Sequence, residues 1–176
     1  MTTRPLPAGY AIRQARLEEV PLLPDIEERA GALFLTSPHP EVTTHSNGTP
    51  QMFRAHITQG VCFVVLDTDD SIVGFATCGV LDQALHLYEL AVVSEHGGKG
   101  LGRALVEDVC REAAARGLGA VTLSTFTDVA WNAPFYARAG FHPLSEDALS
   151  PALHLVQKHE QDIGLTNRCI MRRDIE

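Results

Sequence analysis

The sequence predicts an α/β (α+β) fold built on a mixed, mostly antiparallel twisted sheet, and three observations point there. Two β-rich runs, Val61 to Asp67 and Ile72 to Val80, are joined by Asp67-Thr68-Asp69-Asp70-Ser71, a turn signal typical of a hairpin. A third run, Ala84 to Val93, follows after only Leu81-Asp82-Gln83, and strands on such short connections pair antiparallel. A helical stretch from Gly100 or Leu101 to Arg116 then leads to a further strand, Ala120 to Phe126. A strand reached through a helical crossover lies parallel to the one before it.

From the N-terminus, Tyr10 to Arg16 alternates and reads as the first strand. Apolar residues then recur at helical spacing from Leu17 to Phe34, at Leu17, Val20, Leu23, Ile26, Ala30, Leu33 and Phe34. Pro21 and Pro24 move the start of this helix to Pro24 or Asp25. Thr36 to Thr49 is a polar loop, and Thr49 is placed to cap a short helix from Pro50 to Gln59. The crossover helix buries Leu101, Ala104, Leu105, Val109 and Ala113 and stops at Gly117. Asp128 to Trp131 lead into a helix carrying Asn132 and ending near Gly140. Pro151 to Ile163 is amphipathic, with Leu153, Leu155, Val156 and Ile163 apolar, and Cys169 to Arg172 is a closing strand. There is no internal repeat or low-complexity tract, so residues 1–176 are expected to form a single domain.

Hydrophobic content of 45% and charged content of 20% are those of a soluble globular protein. No run approaches the roughly 18 apolar residues of a membrane span. The opening MTTRPLPAGY lacks the apolar core of a secretory signal, so a cytoplasmic protein is expected. A net charge of −8 argues against nonspecific nucleic-acid binding and would suit a cationic amine. The four cysteines, Cys62, Cys78, Cys110 and Cys169, form no CxxC pair and are expected to be reduced core thiols. No His, Cys, Asp or Glu grouping has metal-ligand spacing, so no metal is expected. Exposed sheet edges leave a homodimer open.

The most informative stretch is Leu85 to Arg103, LHLYELAVVSEHGGKGLGR. It reads as a strand, a turn from Ser94 to Lys99, and a helix opening at Gly100-Leu101, with glycines at Gly97, Gly98, Gly100 and Gly102. Glycine permits positive φ and close ligand approach, while a helix start offers unpaired N–H groups and the positive end of the dipole. Together these make a phosphate cradle, flanked here by Lys99 and Arg103. A P-loop is excluded because Lys99 is followed by Gly100, and a dinucleotide GxGxxG fails because its third glycine falls on Arg103. A nucleotide-binding protein thus lacks its defining feature.

What remains resembles the acetyl-coenzyme A motif of the GNAT N-acetyltransferases, a strand ending LxV followed by [QR]xxGxG and a helix. Leu90-Ala91-Val92 match the strand end, and Gly98-Lys99-Gly100-Leu101-Gly102-Arg103 match the loop. Gly97 stands where the family carries Arg or Gln, which removes one side-chain contact to the pyrophosphate. A second stretch, Asn132-Ala133-Pro134-Phe135-Tyr136 through Gly140-Phe141, resembles the family's Asn–Tyr helix. The resemblance implies helices on both faces of the sheet, a fourth and fifth strand that splay apart, and acetyl-coenzyme A as cosubstrate. It also implies that Asn132 contacts the pantetheine and Tyr136 protonates the departing thiolate. Asn132 and Tyr136, four apart, would share a helix face.

Acetyl transfer to an amine needs a neutral nitrogen, a stabilised carbonyl oxygen and a proton for the thiolate. At pH 7 only about one aliphatic amine in 2,500 is neutral, which favours a nearby carboxylate base. Glu89, at a strand position where the family frequently carries Glu, is the candidate base; the alternative is a solvated or ion-paired carboxylate. Asp128 is a weaker candidate. Tyr136 is the candidate general acid, against a packing role beside Phe135 and Phe141. A backbone N–H of Ala91 or Val92 would hold the oxyanion. His39 and His45 are candidates for lining an acceptor pocket, whereas His86 reads as structural and His154 and His159 as solvated. Trp131 either walls the site or packs before the helix. The acceptor implied is a small-molecule or peptide amine. The rival reading is a non-catalytic acyl-coenzyme A sensor acting through a protein partner.

Overall fold

A computed structural model of the chain describes residues 6–44 and 48–175. It contains seven strands, β1 (Ala11–Gln14), β2 (Val61–Leu66), β3 (Ile72–Leu81), β4 (Ala84–Val92), β5 (Ala120–Phe126), β6 (His142–Pro143) and β7 (Arg168–Asp174). Five α-helices accompany them: α1 (Leu23–Gly31), α2 (Pro50–Gln59), α3 (Leu101–Ala115), α4 (Ala133–Arg138) and α5 (Pro151–Asp162). The strands hydrogen-bond in the order β1-β2-β3-β4-β5-β7-β6. The pairs β1–β2, β2–β3, β5–β7 and β6–β7 are antiparallel and β4–β5 is parallel, which is the expected mixed sheet. No helix of the described residues is long and apolar enough to cross a membrane.

Contacts divide the chain into two compact units, Met1–Gly79 with Tyr88–Val109, and Val80–Leu87 with Cys110–Glu176. In the first, every residue of β2 is buried, so both faces of that strand are covered. Helix α2 packs on β2. Its only buried residue, Phe53, meets Phe75 of β3 edge-on at 5.3 Å. The helix starts as expected: Pro50 occupies the first position and the Thr49 hydroxyl accepts from Met52 N–H. The hairpin turn before β3 closes through Asp67, whose Oδ1 accepts from the N–H groups of Asp69 and Ser71 at 2.9 and 3.0 Å.

In the second unit, neighbouring residues on one strand reach opposite faces, and each face carries a helix. Ser124 of β5 donates to Glu160 of α5, while the next residue, Thr125, donates to Asn132 at the start of α4. Ile170 of β7 packs with Leu149 and Leu153, whereas Arg173 donates to the Ala139 carbonyl at the end of α4. The turn between β3 and β4 is Asp82-Gln83, both with positive φ (49° and 62°), the conformation that matches strand twist in two-residue hairpins. Ser150, which caps α5 through Leu153 N–H, donates its hydroxyl to Asp82.

Several elements differ from expectation. Helix α1 starts at Leu23, beside the expected start at Pro24 or Asp25, after a 3₁₀ segment over Leu17–Leu22; it ends at Gly31, short of Phe34, because Ala32–Thr36 is 3₁₀ as well. Pro21 lies inside the first 3₁₀ segment, where a missing N–H prevents an α-helical ladder. Pro40–Thr44, expected as loop, is also 3₁₀. In α3, Ala104 is half-buried while Val106 and Cys110 join the buried face. Leu155 of α5 is 68% exposed. The two-residue β6 carries no β-pattern of its own and exists by pairing with β7.

At Gly74 a Cβ would lie 2.6 Å from the Ala91 carbonyl oxygen. Gly74→Ala should therefore lower stability by about 2 kcal/mol, read as an earlier urea midpoint with an unchanged m-value.

Candidate active site

In the first unit, β4 delivers the glycine turn. Val93 is extended, Ser94–His96 make one 3₁₀ turn closed by Gly97 N–H to Ser94 O at 2.9 Å, and α3 begins at Leu101. Two of the four glycines need their freedom: Gly98 and Gly100 have φ of +71° and +86°, and a Cβ at either would meet nothing within 4 Å. The turn is thus shaped by backbone conformation and open around both residues. Gly100 O accepts from Ala104 N–H at 3.0 Å, the first bond of the helix, and the N–H groups of a first helical turn lack intrahelical acceptors. Leu90 and Val92 are half-buried and Ala91 is buried. Arg103 sits on the first turn of α3, 3.9 Å from Glu107.

Lys99 is held by a residue that carried no sequence signal. Its ammonium donates to Tyr10 Oη at 2.8 Å and lies 5.4 Å from the Tyr10 ring centre. Tyr10 Oη, accepting from Lys99, also lies in hydrogen-bond contact with His96 Nδ1 at 2.8 Å. An aromatic opening an alternating strand reads as ordinary core, so only the folded chain brings it to the turn.

Glu89 is neither solvated nor paired with an arginine. It is half-buried and hydrogen-bonded to Glu27 of α1. Burial, followed by the Glu27 charge, pushes its carboxyl well above the ordinary value of 4.5. Burial raises Glu27 as well, opposed by the Gly48 N–H, which donates to Glu27 Oε2 at 2.7 Å. The signal for Glu27 is in the sequence. Leu23, Ile26 and Ala30 are buried, and Glu27 falls within that same helical stripe. A carboxylate on an apolar face calls for a partner.

On the other face of β4, Tyr88 is 49% exposed, and the His56 ring lies 5.2 Å from its ring. Burial lowers His56, whose Nδ1 meets the Cys78 carbonyl at 3.3 Å. His39 is buried, with Nδ1 3.1 Å from Glu41 Oε1. His45 lies outside the described residues.

In the second unit, β4 and β5 pair in parallel over Leu85–Leu87 and Val121–Leu123, while β4 runs on to Val92 and β5 to Phe126. His86 is buried as expected, with Nδ1 2.9 Å from Thr122 Oγ1. Burial, then the Arg168 charge, pushes it down to about 4. Helix α4 starts at Ala133, so Asn132 is its non-helical cap (φ −109°, ψ −108°), one turn before Tyr136, rather than a residue of the helix itself. Its carbonyl accepts from Phe135 and Tyr136 N–H at 2.8 and 3.0 Å. Its side-chain Oδ1 accepts from Thr125 at 3.1 Å, and its buried Nδ2 has no hydrogen-bond partner. A buried amide donor left unsatisfied is rare and costs about 1–3 kcal/mol.

Tyr136 is 8% exposed, between Phe135 at 5.0 Å and Phe141 at 5.7 Å, both edge-on. Asp128 accepts from Asn167 at 3.1 Å in an exposed position, and Trp131 is 41% exposed. Among the described residues no group of three His, Cys, Asp or Glu side chains is arranged to hold a metal ion.

Residues 27–141 match the model of the acetyltransferase (GNAT) family. In fold, the chain is similar to the ribosomal-protein-S18-alanine N-acetyltransferase of Escherichia coli (TM-score 0.68, 20% identity, 95% of this chain and 94% of that one). It is likewise similar to the paia N-acetyltransferase of Thermoplasma acidophilum, solved with coenzyme A (TM-score 0.69, 13% identity, 94% and 98%). A third similarity is to N-acetylglutamate synthase of Neisseria gonorrhoeae, solved with coenzyme A and N-acetyl-glutamate (TM-score 0.73, 18% identity, 97% of this chain and 36% of that one).

Because folding raises the Glu89 pKa, the neutral form is the one the fold favours. Its contribution is present below the ordinary value near 4.5 and is lost as pH rises through the raised value. Glu89→Gln, which mimics the neutral carboxyl, should raise Tm at pH 8 and leave it nearly unchanged at pH 4.5; melting curves at the two pH values check this.

Proposed function

The chain belongs to the acetyltransferase (GNAT) family, and from that premise we propose that it moves an acetyl group from acetyl-coenzyme A to a primary amine, of a small molecule or a peptide, by direct attack. The observation that carries this reading is the turn between β4 and α3. Gly98 and Gly100 take left-handed conformations there, with open space around them, directly before a helix start. That arrangement suits a pyrophosphate bound by main-chain N–H groups, with Lys99 and Arg103 adding charge. Leu90, Ala91, Val92, Leu101 and Gly102 supply the remaining main chain on either side of it. The residues from 1 to 176 would act as a single acetyltransferase domain.

The cosubstrate supplies the activated acetyl group. The unsatisfied Nδ2 of Asn132 is a donor suited to a pantetheine carbonyl, and Thr125 fixes the amide so that Nδ2 is the free end. The acceptor arrives as an ammonium and loses one proton to the ionised form of Glu89, which must first release its own proton to solvent, before its lone pair can attack. A C–N bond forms at the acetyl carbon and the C–S bond breaks, with a main-chain N–H of Ala91 or Val92 holding the developing oxyanion. Tyr136 gives its phenolic proton to the sulfur. The nitrogen sheds a second proton as the amide forms, and Tyr136 is reprotonated. The sum is ammonium plus thioester giving amide, thiol and one proton.

Calorimetry of the full chain with acetyl-coenzyme A, followed by thiol release against a panel of amines, tests the reading. Saturable binding and amine-dependent release are expected. Binding without release would instead favour a non-catalytic acyl-coenzyme A sensor, and an absence of binding would remove the glycine turn from the argument. Tyr136→Phe should lower kcat at least about 100-fold while acetyl-coenzyme A affinity changes less than about twofold. Equal kcat in the two proteins would return Tyr136 to a packing role.

A further inference from the structure

Two carboxyl groups that hydrogen-bond to each other must hold a proton between them, because a carboxylate has no donor. Glu27 and Glu89 make such a bond. The local geometry is built for it. Helix α1 buries Leu23, Ile26 and Ala30, which fixes Glu27 on the inward stripe. The Gly48 N–H then reaches Glu27 Oε2 at 2.7 Å. A Cβ at Gly48 would press on the Phe53 ring at 2.9 Å and stand 3.2 Å from that same Oε2. A residue without a side chain is therefore what lets the main chain approach this carboxylate. Phe53 is itself locked against Phe75, so the wall behind Gly48 does not yield easily.

The main-chain donor decides which of the two carboxyls keeps the proton. Gly48 N–H favours the ionised form of Glu27, leaving Glu89 as the protonated member that donates to it. The charged group acting on Glu89 is Glu27, and Glu27 in turn meets Glu89 and the Gly48 N–H.

We propose that Glu27 is a positioning residue for acetyl transfer, holding one proton on Glu89 so that the resting pair carries a single negative charge and the base form appears only when that proton leaves. This rests on the reading of Glu89 as the base. The proton balance is simple. The resting pair releases its proton to solvent and becomes doubly negative; it then takes one proton from the acceptor's ammonium, giving a neutral amine and the singly charged pair again. A doubly negative pair attracts a cation more strongly than one carboxylate does, so the acceptor class is a primary amine that arrives charged, rather than an amine already neutral such as an aniline.

The test is a pH titration of glutamate side-chain carboxyls by carbon-13 NMR on the full chain, without ligand, in wild type, Glu27→Gln and Glu27→Asp. In wild type, Glu89 should titrate well above the usual range and move together with Glu27. In Glu27→Gln the Glu89 titration should fall by at least about one pH unit, since the neighbouring charge is gone. Glu27→Asp, which keeps the charge on a shorter arm and stays nearer native packing, should move it by less. Identical Glu89 titrations in all three proteins would overturn the proposal. With the best amine from the panel, the acid limb of kcat/KM should fall by the same amount in Glu27→Gln, with acetyl-coenzyme A affinity within about twofold. A residue needed only for packing would change the height of that profile and not its position. The NMR reading needs no acceptor. An unmoved titration therefore overturns the pair even where acetyl transfer is found, and a moved one in a chain that releases no thiol supports the pair while overturning the assignment of acetyl transfer.

Discussion

Strand β4 is the constraint on which the other elements depend. Its first four residues, Ala84–Leu87, are all buried, and three of them pair with β5 in parallel register. From Tyr88 onward the pattern changes to exposed and half-buried residues, and the strand feeds straight into the glycine turn. A strand that stayed buried to its end would have apolar side chains where Glu89 stands and no reason to open into a turn. A strand exposed throughout would lose the His86–Thr122 bond and the register it pins. One element therefore carries both core packing and the residues of the proposed chemistry, and the change between them falls within two residues.

The cost of that arrangement is visible in its charges. Burial and the Glu27 charge push the Glu89 carboxyl well above its ordinary value, and the Gly48 N–H offsets part of the burial cost at Glu27. Natural folds give up stability at positions where a reactive group must be held in an unfavourable state. The unsatisfied Asn132 amide has the same character, with one end fixed by Thr125 and the other left without a partner. Both features lie beside well-packed aromatic pairs, Phe53 with Phe75 and Tyr136 with Phe141. Rigid neighbours allow a strained polar group to persist where a loose core would collapse onto it.

Much of the fold was legible in the sequence because the β-runs are bounded by strong turn chemistry. Asp67–Ser71, Asp82-Gln83 and Gly117 each end an element where their backbone preferences require it. The limits of α2 and β5 follow from a Thr-Pro cap and an unbroken apolar run. Less legible were the segments whose form is set by contacts distant in sequence. The 3₁₀ turns around α1 share their apolar spacing with an α-helix and differ only in hydrogen bonding. β6 is a strand only because β7 lies beside it. In the candidate site, Glu89, Asn132 and Tyr136 stood out by local pattern. Tyr10 did not, and Glu27 showed only as a carboxylate on an apolar helical stripe with its partner unnamed, since each reaches that partner across more than 60 residues of chain, as in Glu27 with Glu89 and Tyr10 with Lys99.

Tyr10 gives the glycine turn a property that neither glycine nor helix dipole supplies. A solvated lysine samples many rotamers, and fixing one costs up to about 2 kcal/mol of side-chain entropy. Lys99 has already given up that freedom, because Tyr10 Oη and the Tyr10 ring hold its ammonium in place while His96 contacts the hydroxyl. An anion seating on the turn would meet a charge fixed during folding, so less ordering remains at the moment of capture. The residues just ahead of β1, which look like a dispensable leader to the first strand, thereby become part of what makes the turn rigid. Shortening the chain past Tyr10 would leave the glycines untouched and return the lysine to disorder.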